Sequence, residues 1–190
     1  MKEAVWIEKS QEVSPREYVP EVEWRQRLAQ GDLEVVALLY DHYAAALYRV
    51  LTAILGTTAD AEDALQEVFV RLAQGRANRV QNLRPYLFAA ARHEACNILR
   101  RKRRERPLEE AERPAPPVDT TQAGEMQRLL LRLPLEQREV IAMKVYEEMT
   151  FAEIATIVKA SPNTVASRYR YGIERLRGWV QEEEAYGNQA

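Results

Sequence analysis

The residues of this chain best suited to chemistry are those that grip phosphates and base edges. Residues 162–180 read as a helix exposing Thr164, Ser167, Arg168, Arg170, Tyr171 and Arg175, with arginines at 168, 170, 175 and 177 against one acid, Glu174. A guanidinium neutralises backbone phosphate and can also hold a guanine edge through two hydrogen bonds in a major groove. A second set lies further back. Tyr86, Phe88, Arg92, His93 and Asn97 precede the run Arg100-Arg101-Lys102-Arg103-Arg104, with Arg106 just beyond. Cations there bind backbone phosphate and aromatic faces stack on unpaired bases, which suits an opened strand. A third set, Asp60, Asp63, Gln66 and Glu67, is acidic inside an otherwise basic stretch. That is a poor surface for DNA and a better one for a protein. Each set has a plainer alternative. The first is also the solvated face of an ordinary helical hairpin. The second and third are also charges that a helix macrodipole favours at its C- and N-terminus.

Helices must position all three sets. After Gly31-Asp32, the apolar residues Val36, Leu39, Tyr40, Tyr43, Leu47, Val50, Leu51 and Ile54 recur at three and four, one face of a long amphipathic helix that Gly56 ends. Thr57-Thr58-Ala59-Asp60 caps the next helix, with Ala64, Leu65, Val68, Phe69 and Leu72 inward, Asp60, Asp63, Gln66, Glu67 and Arg71 outward, and Gly75 closing it. Residues 76–84 are polar and read as a loop. Pro85 sits in the first turn of a third helix with Tyr86, Leu87, Ala90, Ala91, Ala95, Ile98 and Leu99 inward. Residues 105–124 hold four prolines and five acids and form a semi-extended linker. Four shorter helices follow. The first carries Met126, Leu129, Leu130 and Leu133, and the second, opened by Pro134, carries Val140, Ile141 and Val145. Thr150-Phe151-Ala152-Glu153 is a capping box that starts the third, with Phe151, Ile154, Ala155 and Val158 inward. Ser161-Pro162 caps the last, which carries Val165, Tyr169, Ile173, Leu176 and Val180. The final pair reads as a helix-turn-helix.

Composition sets outer limits. The 190 residues are 46% apolar and 29% charged, with only seven glycines. Net charge is −2, but it is unevenly spread: +5 over 24–104, −3 over 105–124 and +2 over 125–180, with acidic ends. Two mildly basic bodies of about 80 and 60 residues, both feasible for helical domains, are thus separated and flanked by acid. No apolar run approaches the roughly 18 residues needed to span a bilayer, and the start lacks the features of a signal peptide. Cys96 is the only cysteine and reads as a small buried helix residue; with two separated histidines, a structural zinc site is not expected. There is no Gly-rich phosphate loop, no metal-ligand cluster and no nucleophile at a recognised spacing from a base, so an enzyme is not expected and no cofactor is implied.

Four segments in order carry a resemblance. Asp60-Ala61-Glu62-Asp63-Ala64-Leu65-Gln66-Glu67-Val68-Phe69 resembles the core-polymerase-binding helix of the small, extracytoplasmic-function type of sigma factor. Tyr86-Leu87-Phe88-Ala89-Ala90-Ala91-Arg92 with Asn97-Ile98-Leu99-Arg100-Arg101 resembles the next helix of that family. Leu133-Pro134-Leu135-Glu136-Gln137-Arg138-Glu139-Val140 resembles the start of its C-terminal domain, and Thr150 to Leu176 its promoter-reading helix-turn-helix. The match covers roughly residues 25–104 and 125–180. Lys159 and Asn163 stand where the family often has small residues, Ala166 and Tyr171 where it often has basic ones, and His93 where asparagine is common.

The resemblance implies an all-α protein of two small helical domains joined by a flexible linker, the C-terminal one a helix-turn-helix. It would comprise an N-terminal extension (1–23), a region 2 domain (24–104), the acidic linker (105–124), a region 4 domain (125–180) and an acidic tail (181–190). The implied partners are bacterial core RNA polymerase, contacted through Asp60, Asp63, Gln66, Glu67 and Phe69, and promoter DNA. The downstream element's non-template strand would meet Tyr86, Asn97, Arg100 and Arg101. The upstream element would meet Thr164, Ser167, Arg168, Arg170 and Tyr171. Factors of this class are cytoplasmic and often held inactive by an anti-sigma protein. The competing reading is a stand-alone helix-turn-helix regulator binding DNA as a dimer. It accounts for 150–180 but leaves the Asp60–Phe69 helix and the linker without a purpose.

Overall fold

The computed structural model describes residues 21–74, 80, 82–105 and 122–187. The expectations for most of the N-terminal extension, the Gly75 stop, most of the 76–84 loop, the Pro-rich linker and the last residues of the tail lie outside them. The described residues form helices and no strand: α1 (Glu21–Ala29), α2 (Leu33–Leu55), α3 (Thr58–Ala73), α4 (Leu83–Glu105), α5 (Gln122–Arg132), α6 (Leu135–Tyr146), α7 (Phe151–Val158) and α8 (Pro162–Gly187).

Local chemistry sets the ends of α1 to α4. The Asp32 carboxylate accepts from the Glu34 N–H at 2.9 Å, capping α2, and from Arg27 Nε at 2.7 Å, which ties α1 to it. That guanidinium holds the Asp32 carboxyl below the ordinary carboxylate range. Thr57 Oγ1 accepts from the Asp60 N–H at 3.3 Å and caps α3. The stripe Val35, Leu39, Tyr43, Leu47, Val50, Leu51 and Ile54 is buried on α2, facing Ala64, Leu65, Val68, Phe69 and Leu72 of α3 and Leu87, Phe88, Ala91, Ala95 and Ile98 of α4. Val35 takes the core place expected for Val36, and Tyr40 is 46% exposed, because the stripe runs one residue out of phase with the expected start. Tyr86, Ala90 and Leu99 are only half-buried, whereas Phe88 is inside the core and unavailable for stacking. The α4 helix starts at Leu83, two residues before Pro85.

The second body is built around α6, whose residues 138–143 are all buried because α2, α7 and α8 enclose them. Val145 lies past that enclosure and is exposed, as is Met126, against expectation. The capping box at Thr150 and Glu153 forms in both directions, at 3.2 and 2.7 Å. Ser161 Oγ accepts from the Thr164 N–H at 3.1 Å and opens α8. Gly172 lets α8 approach α6 closely; a Cβ there would stand 2.6 Å from Ile141 Cδ1. The helix continues past residue 180 to Gly187, carried by the strong helix formers from Gln181 to Ala185.

The two bodies pack on one another, with α2 against α5 and α6, and α4 against α7. This seam is strongly polar. Arg92 of α4 donates to both oxygens of Glu139 on α6, at 2.7 and 3.2 Å. Arg138 Nη1 donates to the Ile54 carbonyl at 2.7 Å, an orphan of the last turn of α2, and Gln127 Nε2 donates at 2.8 Å to the Thr52 carbonyl, which also accepts from the Gly56 N–H, so the end of α2 draws donors from the other body. Arg49 pairs with Glu147 at 2.7 Å, and Arg84 donates to the Glu147 carbonyl at 2.9 Å.

Candidate nucleic-acid and polymerase-binding surfaces

The acidic helix α3 does not present its five candidate residues equally. Asp63 and Gln66 are exposed. Gln66 and Glu62 edge a groove shared with Tyr40, Ala44 and Tyr48 of α2, so polar groups here flank an apolar floor. Glu67 is half-buried and accepts from Arg71 Nε at 2.6 Å. Phe69 is buried edge-on to Tyr40, with ring centres 4.9 Å apart. Asp60 is also buried, with Lys102 and Thr57 as hydrogen-bond donors. Burial alone would raise its carboxyl, but the hydrogen bonds from Lys102 and Thr57 outweigh it and hold the group below the ordinary range. Asp60 and Phe69 therefore shape the surface from beneath, and Lys102 is drawn out of the basic run to pair with Asp60.

On α4, Asn97, Arg100, Arg101, Arg104 and Glu105 line one open cleft, so three of the four strand-side candidates come together. Tyr86 stands apart, half-buried against the core. A network that sequence reasoning missed fixes the Asn97 amide. Its Oδ1 accepts from Arg100 Nη2 at 3.0 Å, and its Nδ2 lies 3.4 Å from Glu94 Oε2 and 3.2 Å from His93 Nδ1. Glu94 is buried beneath the cleft, where Arg71 of α3 pairs with it at 2.5 Å. An acid set among the apolar positions Ala91, Ala95 and Ile98 was the available signal, since burial there demands a cation.

In the helix-turn-helix, α7 and α8 flank the turn 159–161. Lys159 takes the left-handed cap conformation, φ 55° and ψ 49°, that glycine usually fills. Thr164, Arg170 and Tyr171 are exposed, with the Arg170 guanidinium 5.1 Å from the Tyr171 ring centre. Ser167 and Arg168 are half-buried. Arg168 lies within electrostatic reach of Glu139, whose carboxyl is pushed up by burial while Arg92 and Arg168 pull it back. Among the described residues no cluster of three or more His, Cys, Asp or Glu could hold a metal ion, and no helix is long and apolar enough to cross a membrane.

Comparisons with known proteins bear on the family and the fold. The family model for sigma-70 region 2 matches residues 39–105, and that for sigma-70 region 4 matches residues 123–176. The chain is 29% identical over 165 residues to the ECF RNA polymerase sigma factor SigL of Mycobacterium tuberculosis, covering 81% of this chain and 93% of that one. It is 25% identical over 179 residues to SigW of Bacillus subtilis, covering 83% and 95%. Two solved folds are similar. CnrH in complex with the cytosolic domain of CnrY has a TM-score of 0.67 at 17% identity, over 84% of this chain and 96% of that one. The sigma factor RpoE of Bartonella quintana in complex with the anti-sigma factor NepR has a TM-score of 0.63 at 20% identity, over 76% and 96%. The chain belongs to the sigma-70 family. Within it, this is a small two-domain RNA polymerase sigma factor of the extracytoplasmic-function type.

Proposed function

We propose that the first body, residues 24–104, docks on core polymerase through the exposed Asp63 and the Gln66 edge of the α2–α3 groove. It captures the non-template strand of the downstream promoter element in the cleft of Asn97, Arg100 and Arg101, with Tyr86, apart from the cleft on the same helix, as a separate contact. The second body, 125–180, lays α8 in the major groove of the upstream element, with Thr164, Ser167, Arg168, Arg170 and Tyr171 towards the DNA. The observation that carries this reading is the segregation of charge. A largely apolar groove edged by Glu62 and Gln66 lies on α2 and α3, while exposed arginines gather on α4 and α8. Asp60, Glu67 and Phe69 support the groove rather than form its edge.

The factor catalyses no covalent step. It shifts the balance between closed and open promoter by binding the opened strand, and polymerase holds its two weak DNA-reading bodies at the right separation. Its place of work is the cytoplasm, with polymerase. The anti-sigma complex of the Bartonella relative supports a protein inhibitor for this factor too.

Run-off transcription with purified bacterial core polymerase on genomic fragments tests the assignment. Discrete new start sites are expected, lost in Asp63→Ala/Gln66→Ala. Duplex binding by a free dimer without new transcripts would instead favour a stand-alone regulator.

A further inference from the structure

Glu94 is buried beneath the cationic cleft of α4. An acid there works against affinity, because its charge opposes the phosphates that Arg100 and Arg101 attract. It is nevertheless pinned. Arg71 Nη1 of α3 pairs with its Oε1 at 2.5 Å, and Nε of the same guanidinium donates to Glu67 at 2.6 Å. Joining α3 to α4 does not rest on this pair alone. The two helices share an apolar core and a second ion pair, Asp60 with Lys102.

What Glu94 reaches above it is Asn97. An amide has a donor end and an acceptor end of nearly the same shape, and its neighbours decide which end faces where. Glu94 Oε2 stands 3.4 Å from Asn97 Nδ2, and Arg100 Nη2 donates to Asn97 Oδ1 at 3.0 Å. Turning the amide over would set oxygen against carboxylate and N–H against guanidinium. His93 Nδ1 lies 3.2 Å from Asn97 Nδ2 and 2.9 Å from Glu94 Oε1. It donates or accepts according to its tautomer, so it does not choose between the two orientations. The two groups that do choose differ in permanence. Arg100 is exposed, and once it turns to a phosphate, Asn97 Oδ1 is free to accept from a base. Glu94 is buried and held by Arg71, so it alone keeps the donor end of the amide turned inward.

We propose that Glu94 is a specificity-determining positioning residue of the strand-binding cleft. It does not touch the strand; it fixes the Asn97 amide so that Oδ1 is the acceptor offered to an unpaired base. The inference rests on the placement of the opened strand in this cleft.

The test uses holoenzyme reconstituted from core polymerase and the full chain. It is presented with a pool of short single-stranded DNA of random sequence, and sequencing the retained strands gives a base preference at each position. Asn97→Ala should flatten one position, lowering the ratio of most to least favoured base at least about fivefold. The amide of Glu94→Gln keeps the size of the side chain but can donate as well as accept. It should flatten the same position at least about threefold and leave the other positions alone. Affinity for the pool as a whole should be no weaker, because an acid has been removed from beneath the cleft. In the Asn97→Ala background, Glu94→Gln should have no further effect on preference. Arg100→Ala should behave differently, removing about 0.7 of a unit of salt slope. Should Glu94→Gln lose helical signal, Glu94→Gln/Arg71→Met, which removes both charges of the pair, takes its place. Preferences unchanged by the folded variant, a loss spread over all positions, or flattening that persists without Asn97 would each overturn the positioning role. If Asn97→Ala itself leaves every preference unchanged, the strand assignment of the cleft fails and the positioning role with it. Flattening by Asn97→Ala with none by Glu94→Gln removes the positioning role alone.

Discussion

Gly56 and Leu131 meet across the seam so closely that a Cβ on the glycine would stand 2.6 Å from Leu131 Cδ1. Gly56 also closes α2 at φ 82°, in the left-handed region, with its N–H on the Thr52 carbonyl. Two separate demands fall on one residue. Gly56→Ala is expected to cost about 1–2 kcal/mol for the backbone alone, and more because Leu131 must shift. Urea unfolding measures the loss. Adding Leu131→Ala clears the space, so the double variant should lose less than the two singles together; strict additivity would deny the contact.

Lys159 offers the opposite opportunity. A side chain in the left-handed cap costs roughly 1 kcal/mol relative to glycine, and nothing else in the turn requires lysine. Lys159→Gly should stabilise the protein by about that amount, raising the melting temperature by a few degrees. An unchanged or lower melting temperature would mean that the lysine side chain makes up the difference elsewhere.

Asp60 and its neighbours Asp63 and Gln66 should separate in two assays. Asp63→Ala and Gln66→Ala alter exposed groups, so they should weaken polymerase binding with stability changed by no more than about 0.5 kcal/mol. Asp60→Ala strands Lys102 and removes a part-buried charge-assisted bond that joins α3 to α4. It should lower stability by about 1–3 kcal/mol, with any loss of polymerase affinity following from that. Equal stability in all three variants would contradict the burial of Asp60.

The Glu153 carboxyl sits below the ordinary range because the side chain and backbone N–H of Thr150 donate to it. A depressed folded value means that its stabilisation is present above the unfolded carboxylate range near pH 4.5 and is lost as pH falls through the folded value. Urea midpoints of the wild type and Glu153→Gln should therefore differ at pH 7 and converge towards pH 3. Thr150→Ala should cost about 1 kcal/mol at pH 7. Midpoints that stay apart at pH 3 would assign the difference to something other than the cap.

Much of this could be read from the chain, because caps and stripes are local. Asp32, Thr57, Gly56, the Thr150–Glu153 box and Ser161 all act where their sequence neighbours put them. All five residues expected on the inner face of α3 are buried, and Ala61 joins them. What failed was whatever depends on a second neighbour. Val145 fits the helical period of α6 yet lies beyond its enclosing helices. Asp60 occupies an outward position until Lys102 of α4 reaches over it. The seam is the extreme case. Arg92, Arg138 and Glu139 have the composition of solvated helix faces, and periodicity cannot distinguish a charge facing water from one facing its counter-ion in another body.

The last turn of α2 is finished by donors that belong to the other body, Gln127 on the Thr52 carbonyl and Arg138 on that of Ile54. A helix completed in this way ties the melting of one half to the melting of the other. In a calorimeter the joined molecule should absorb heat in a single cooperative endotherm, although each half is of a size that could melt alone. Separation would divide that endotherm into two smaller ones, so the shape of the heat trace records whether the halves are acting as one folding unit.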